Sequence, residues 1–267
     1  MTLFQLFLVA VIQGLTEFLP VSSSGHLILL PGLTGLEDQG QLIDVAVHVG
    51  TLGAVILYFW RDVVAAMIGT LDLLKGRFDT DEAHLARCLI LATVPVIVVG
   101  GVLYVTGLND VLRSVKVIAW TMLIFGVVLY WADQVGDNRK SAEHWTLRDA
   151  LIMGAWQAVA LIPGTSRSGI TITGARALGY SRSEAARLAM LMSVPAIAAS
   201  GVLLASDVVA TANVEAAKDG AIAALLAFVS ALLALVFMMR LLRSVSFTPY
   251  VIYRVILGLV LLVYVYS

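Results

Sequence analysis

Residues 161–171, Leu161-Ile162-Pro163-Gly164-Thr165-Ser166-Arg167-Ser168-Gly169-Ile170-Thr171, end an apolar helix in a hydroxyl-rich turn that carries one arginine. Charge at bilayer depth is costly, by about 3 kcal/mol or more at the centre of a helix, so an arginine there is by default a site residue facing a cavity or an anion. A second turn of the same build lies near the start, at Leu19-Pro20-Val21-Ser22-Ser23-Ser24-Gly25-His26, behind a helix carrying Gln13 and Glu17. Together the two turns predict a phosphate-handling centre inside a membrane protein.

The rest of the chain supplies the membrane. Of its 267 residues 60% are hydrophobic and 13% charged, with a mean hydropathy of +0.95, whereas soluble domains carry about a quarter charged residues. Apolar runs of spanning length cover Leu42 to Trp60, Leu85 to Gly107, Val115 to Ala132, Ala185 to Ala205, Ala221 to Leu242 and Pro249 to Tyr266, against the roughly 20 residues a bilayer core requires. Alternating β patterning is absent, so helices must satisfy the backbone. The expected fold is an all-α integral membrane protein with six transmembrane helices, a single domain over 1–267.

Two further segments are too short or too broken to cross cleanly. Residues 3–31 contain an apolar helix that stops at Pro20 and a shorter one that stops at Pro31-Gly32; residues 147–178 repeat the plan. Both are expected to be re-entrant helical hairpins. At one constant separation Gln13, Ser22, Ser24, Gly25 and Ile28 recur as Gln157, Ser166, Ser168, Gly169 and Ile172, and Asp62-Val63-Val64 recurs one position further along as Asp207-Val208-Val209. Three full spans between the hairpins reverse the entry face, predicting an inverted-topology repeat of halves 1–135 and 145–267. A competing match, Val94-Pro95 and Gly101-Val102-Leu103 against Val194-Pro195 and Gly201-Val202-Leu203, relates parallel helices and does not fit the same duplication.

Arg61, Lys75, Arg77, Arg87, Arg139, Lys140, Arg148, Arg182, Arg187, Arg240 and Arg243 fall on one side of this topology, and Arg113, Lys116 and Lys218 on the other. The positive-inside rule makes the richer side cytoplasmic and puts both termini and the mouth of the first hairpin on the periplasmic, outer side. A net charge of -1 gives no footprint for nucleic acid. Cys88 is the one cysteine, which excludes an intrachain disulfide and a cysteine-based metal site. No basic segment precedes the first apolar run, which argues against a cleaved signal peptide. Gly100-Gly101 and Ala198 to Gly201 permit close helix contacts and hence a homodimer.

Gln13 and Glu17 share a helix face that points at the following turn. An unpaired carboxyl at that depth would handle a proton, or bind a divalent cation with Gln13 beside it. Ser22, Ser23 and Ser24 sit where a helix begins, so they can cap it while its N–H groups and dipole favour an anion. His26 lies one turn beyond Ser23, on the same face, in reach of a proton exchange. The second turn offers Gly164, Thr165, Ser166, Ser168 and Thr171 as a cradle and Arg167 as a fork matched to phosphate oxygens. Under the repeat, Ser23 and Arg167 are equivalent positions, so a pseudo-twofold would face a nucleophile toward a phosphate clamp. His48 reads as a satisfied helix histidine, His84 and His144 as loop residues, Arg182, Glu184 and Arg187 as an interfacial charge network, and Arg148, Asp149 and Arg176 as helix-end anchors snorkelling to headgroups.

With these residues in place the chain resembles the undecaprenyl-diphosphate phosphatase family, the BacA or UppP type, over nearly its whole length. Two signatures carry the resemblance: Gln13 to Glu17 followed by Phe-Leu-Pro-Val-Ser-Ser-Ser-Gly-His, and the Pro-Gly-x-Ser-Arg-Ser-x-x-Thr pattern of Pro163 to Thr171. It implies removal of the terminal phosphate of the C55 polyprenyl diphosphate at the outer face of the plasma (inner) membrane, recycling the carrier of cell-wall polysaccharides and conferring bacitracin resistance. The family's functional residues map onto Glu17, Ser23, His26 and Arg167, with Gln13 where a second glutamate often stands. That substitution puts in doubt any scheme with two acidic metal ligands. The expected mechanism has Mg²⁺ or Ca²⁺ near Glu17 and attack by Ser23, His26 or water, and the lipid tail is expected to leave past Leu27, Leu30 and Val49. The rival class is a transporter or flippase of a polyprenyl phosphate or another anion, since opposed hairpins are also a transport architecture.

Overall fold

The computed structural model describes residues 1–35, 38–108, 112, 114–209 and 214–267. Arg113, counted above on the charge-poor side, lies outside the described residues, as does the side chain of Asp207. Eleven α-helices account for the described chain: α1 (Leu3–Phe18), α2 (Ser23–Thr34), α3 (Gly40–Tyr58), α4 (Trp60–Leu74), α5 (Asp81–Thr106), α6 (Val115–Val135), α7 (Leu147–Val159), α8 (Arg167–Ala177), α9 (Arg182–Val209), α10 (Val214–Leu241) and α11 (Thr248–Tyr266). A 3₁₀ turn at Ala142–His144 and a single bridge between Lys140 and Tyr180 are the other regular elements among the described residues.

Six of the described helices are long and apolar enough to cross a membrane: Gly40–Tyr58, Asp81–Thr106, Val115–Val135, Arg182–Val202, Val214–Leu241 and Thr248–Tyr266. They coincide with the six runs read from the sequence. Of the other five, α4 has 15 residues and α1 with α2 and α7 with α8 form two short pairs; α2 and α8 have 12 and 11 residues, about 18 Å or less at 1.5 Å per residue, well under the hydrocarbon thickness. One boundary differs from expectation. Helix α2 runs through Pro31 and ends at Gly35, whose φ of 70° and N–H bond to the Pro31 carbonyl at 2.9 Å form the cap. Proline removes one hydrogen bond and bends a helix, but the left-handed glycine is what stops this one.

Lipid tails are as apolar as leucine, so helices associate here through close packing. Helix α10 turns Ala223, Ala227 and Ala231, spaced one turn apart and fully buried, toward α1 and α3. Gly14 of α1 lies so close that a Cβ would meet the Ala227 carbonyl at 2.8 Å, and a side chain at Gly50 of α3 would collide with the Ala224 carbonyl. Gly154 of α7 makes the matching approach to Ala92 of α5. Thus α1 seats on α10 while α7 seats on α5. Opposite faces of the long helices, including Leu233 and Phe237 of α10 and Ile256 of α11, remain exposed and suit lipid.

Three expectations fail at helix ends. Arg176 is buried, with its guanidinium on Asp133 Oδ1 at 3.2 Å and on the carbonyls of Asp133, Gly136 and Tyr180. Asp149 is buried too, taking Lys140 Nζ at 2.9 Å and the Tyr180 hydroxyl at 2.7 Å. Neither snorkels, because partners from other helices satisfy it inside the protein; Arg148 alone of the three is exposed. His84 lies within α5 rather than in a loop, bonded to the Trp145 carbonyl at 2.7 Å. The charge network around Arg182, Glu184 and Arg187 is present and reaches further, to Asp133 and Asp62.

Candidate active site

Two turns, 19–22 and 160–166, define the site. Their local geometry is nearly identical. Ser22 and Ser166 are the two described non-glycine residues with positive φ, at 74° and 71°, a backbone region that L-residues adopt at a cost of about 1 kcal/mol or more. In both, the serine Oγ accepts the N–H of the glycine three residues on, Gly25 at 3.3 Å and Gly169 at 3.2 Å. In both it also faces the hydroxyl two residues on, Ser24 at 3.4 Å and Ser168 at 3.1 Å. The side chain that caps the helix therefore repays the strain of the turn that starts it.

The turns are joined directly. Ser168 Oγ donates to the Leu19 carbonyl at 3.0 Å. From α11, the fully buried Arg254 donates to Pro20 O at 3.3 Å in one turn, to Gly164 O and Thr165 O at 3.1 and 2.9 Å in the other, and to Thr121 O and Met122 O of α6. Thr121 Oγ1 adds a bond to Pro163 O at 2.6 Å. Gly164, with φ of 85°, is held where any Cβ would strike Thr121 and the Ile118 backbone.

On this floor the sequence-predicted residues converge. Glu17 is buried at the end of α1. Its Oε2 accepts from Ser23 Oγ at 2.5 Å and from Gln13 Nε2 at 2.9 Å, and its Oε1 accepts from Arg167 Nη2. Arg167 Nη1 reaches the Ser193 carbonyl of α9 at 3.2 Å. A carboxylate, a hydroxyl and a guanidinium from positions 17, 23 and 167 thus form one bonded cluster. Ser22, Ser166, Ser168, Gly164, Thr165 and Thr171 build its walls and are buried, while Ser24 opens toward solvent. The hydroxyls of Thr165 and Thr171 and the Oε1 of Gln13 are buried without a hydrogen-bond partner.

His26 stands apart from Ser23. Its Nδ1 lies 2.6 Å from Ser22 O and its Nε2 2.5 Å from the hydroxyl of Tyr253. The serine and histidine share a helix, but it is Glu17 that takes the serine proton's direction. His48, set aside in the sequence, has its Nε2 3.9 Å from Glu17 Oε2, with Nδ1 on the Asp44 carbonyl at 2.6 Å. Beside it opens a cavity of about 280 Å³ lined by Ser24, Leu27, Asp38, Asp44, His48 and Pro163. Of the three residues expected along a lipid exit, Val49 is exposed, whereas Leu27 and Leu30 pack into a core with α1, α3 and α10.

Sequence reading missed Arg254 and Tyr253. An arginine within an apolar span was the available signal; Tyr253, an aromatic residue beside it in the same span, offered none of its own.

The family model for the bacitracin resistance protein BacA matches residues 6–260. The undecaprenyl-diphosphatase of Ruegeria pomeroyi is 70% identical over 267 residues, 100% of both chains. That of Jannaschia sp. is 68% identical over the same extent, and that of Maricaulis maris 45% identical over 99% of each chain.

Proposed function

This chain belongs to the BacA family, and we propose that it is an enzyme that removes the terminal phosphate of undecaprenyl diphosphate, a membrane-embedded hydrolase of a phosphoric anhydride. The observation that carries the reading is Ser23 Oγ held 2.5 Å from Glu17 Oε2 while Arg167, from the far half of the chain, takes the other carboxylate oxygen.

The chemistry follows from who donates to whom. Ser23 donates to Glu17, so the carboxylate is placed to take that proton as Ser23 Oγ attacks the terminal phosphorus. As the Oγ–P bond forms, the bond from phosphorus to the bridging oxygen breaks. Its electron pair leaves on polyprenyl phosphate. Water then attacks phosphorus and gives up a proton toward His26, the P–Oγ bond breaks, and Ser23 recovers its proton from Glu17. Arg167 and the N-terminal N–H groups of α2 and α8 oppose the charge that builds on the phosphate oxygens. Arg167 moves from holding the carboxylate to sharing its fork with the substrate. His26 serves the hydrolytic half of the cycle as the base for the attacking water.

A divalent cation fits this donor set. Glu17 supplies one carboxylate and Gln13 Oε1 is a buried oxygen with no partner, the hard-oxygen ligands that Mg²⁺ or Ca²⁺ takes alongside phosphate and water. No group of three acidic, histidine or cysteine ligands occurs among the described residues, so Glu17 and Gln13 would hold the ion together with the substrate. When bound, the ion neutralises phosphate oxygens.

The matched geometry of the two turns, and the exchange by which α1 seats on α10 and α7 on α5, support reading α1–α2 and α7–α8 as re-entrant hairpins of an inverted repeat. Positive-charge bias supports an outer-face mouth in the inner membrane, and the small-residue patterns support a homodimer. Phosphate release from the C55 diphosphate in detergent micelles tests the function. Undiminished turnover in Glu17→Ala, Ser23→Ala and Arg167→Ala would end the assignment. Movement of polyprenyl phosphate across proteoliposomes without hydrolysis would favour transport.

A further inference from the structure

Helix α11 delivers two consecutive residues to the site. Arg254 binds the floor of both turns; Tyr253 reaches His26. A carbonyl oxygen only accepts, so the 2.6 Å contact to Ser22 O assigns the hydrogen of Nδ1. In the neutral ring Nε2 is then the acceptor. The Tyr253 hydroxyl, 2.5 Å away, is its donor. The two rings are parallel within 8°, with centroids 5.7 Å apart. One end of the imidazole is therefore fixed by the strained turn that begins α2, and the other by a phenol 227 residues further along the chain.

We infer that Tyr253 is a positioning residue for His26: with the tautomer set by Ser22 O, its phenol fixes the imidazole from the Nε2 side and links that base to the water of the hydrolytic step. This rests on the phosphatase reading above. During hydrolysis of the serine phosphate, the attacking water sits on the Tyr253 oxygen, and the phenol keeps its bond to Nε2. The water oxygen bonds to phosphorus, its proton passes to the Tyr253 oxygen as the phenol proton passes to Nε2, the P–Oγ bond breaks with its electron pair on Oγ, and Glu17 returns the proton to Ser23. His26 then gives its proton to the departing phosphate.

Tyr253→Phe in the full chain keeps the ring and removes the hydroxyl. With C55 diphosphate in detergent, kcat should fall about ten- to a hundredfold, the equivalent of one hydrogen bond to an ionising group, with KM within twofold of native. In a His26→Ala background the same change should have no effect. The nitrogen-15 shifts of His26 in the native protein, assigned by their loss in His26→Ala, should report hydrogen on Nδ1 and a lone pair on Nε2. An unchanged kcat, additive losses in the double variant, or a ring with hydrogen on Nε2 would each overturn the inference. A native chain that releases no phosphate would instead overturn the functional reading.

Discussion

Replacing Glu17 with glutamine keeps the shape of the side chain and removes its charge, which separates two roles that the site assigns to one carboxylate. The first is structural. Glu17 and Arg167 are an ion pair with side-chain exposures of 7% and 18%, and breaking a buried pair from one side costs about 3–5 kcal/mol because the remaining charge loses its partner. The second is catalytic. The Ser23 hydroxyl loses the base it donates to at 2.5 Å, a loss of about a hundred- to ten-thousandfold in rate. Glu17→Gln should therefore both melt earlier in detergent and release phosphate from C55 diphosphate at least a hundredfold more slowly. Adding Arg167→Gln removes the stranded cation, so the double variant should recover most of the lost stability and none of the activity. Parallel thermal melts and phosphate assays on the two variants decide it. A Glu17→Gln protein of native stability, or a double variant that regains turnover, would refute the reasoning.

Four further outcomes follow from the same geometry. Arg254→Met should destabilise the chain by about 2–6 kcal/mol, since it leaves at least two buried carbonyls unpaired at about 1–3 kcal/mol each, and a melting temperature within two degrees of native would contradict the anchoring role. Ser166→Gly should be tolerated better than Ser166→Ala by about 1 kcal/mol, because glycine relieves the positive φ whereas alanine keeps it and loses the cap; equal stabilities would show that the turn is not strained. Asp133→Asn, twelve residues and about 18 Å along α6 from Thr121, should lower the melting temperature by disturbing Arg176 and Arg182 while leaving KM unchanged, and a raised KM would place that network in the site. A reporter fused to the C-terminus should be active on the periplasmic side, and a cytoplasmic signal would reverse the orientation.

Much of this molecule was readable before its structure because the strongest constraints are local. Six apolar runs gave six long helices, and the hydroxyl-rich turns, with Arg167 and Glu17 too costly to place in lipid, marked the centre that the structure assembles. What stayed hidden depends on distant partners. Backbone carbonyls have no signature in sequence, so nothing announced that Arg254 would be satisfied by five of them from both turns and α6. Arg176 and Asp149 read as snorkelling anchors because their partners, Asp133, Tyr180 and Lys140, lie elsewhere in the chain. His26 was paired with Ser23 on helical spacing, yet a shared face does not fix where a ring points, and Ser22 O and Tyr253 turn it away. His48 was weighed alone on an apolar helix, where a satisfied histidine is the ordinary case, and only packing of α3 against α1 brought it to Glu17.

The central claim is that two distant turns meet to make Ser23 a nucleophile toward a phosphate held by Arg167. Rapid mixing of the native protein with terminally labelled C55 diphosphate, quenched in acid and mapped by mass, tests it most directly. The account predicts label on Ser23 that vanishes in Ser23→Ala together with phosphate release. Steady release at the native rate from Ser23→Ala would contradict it.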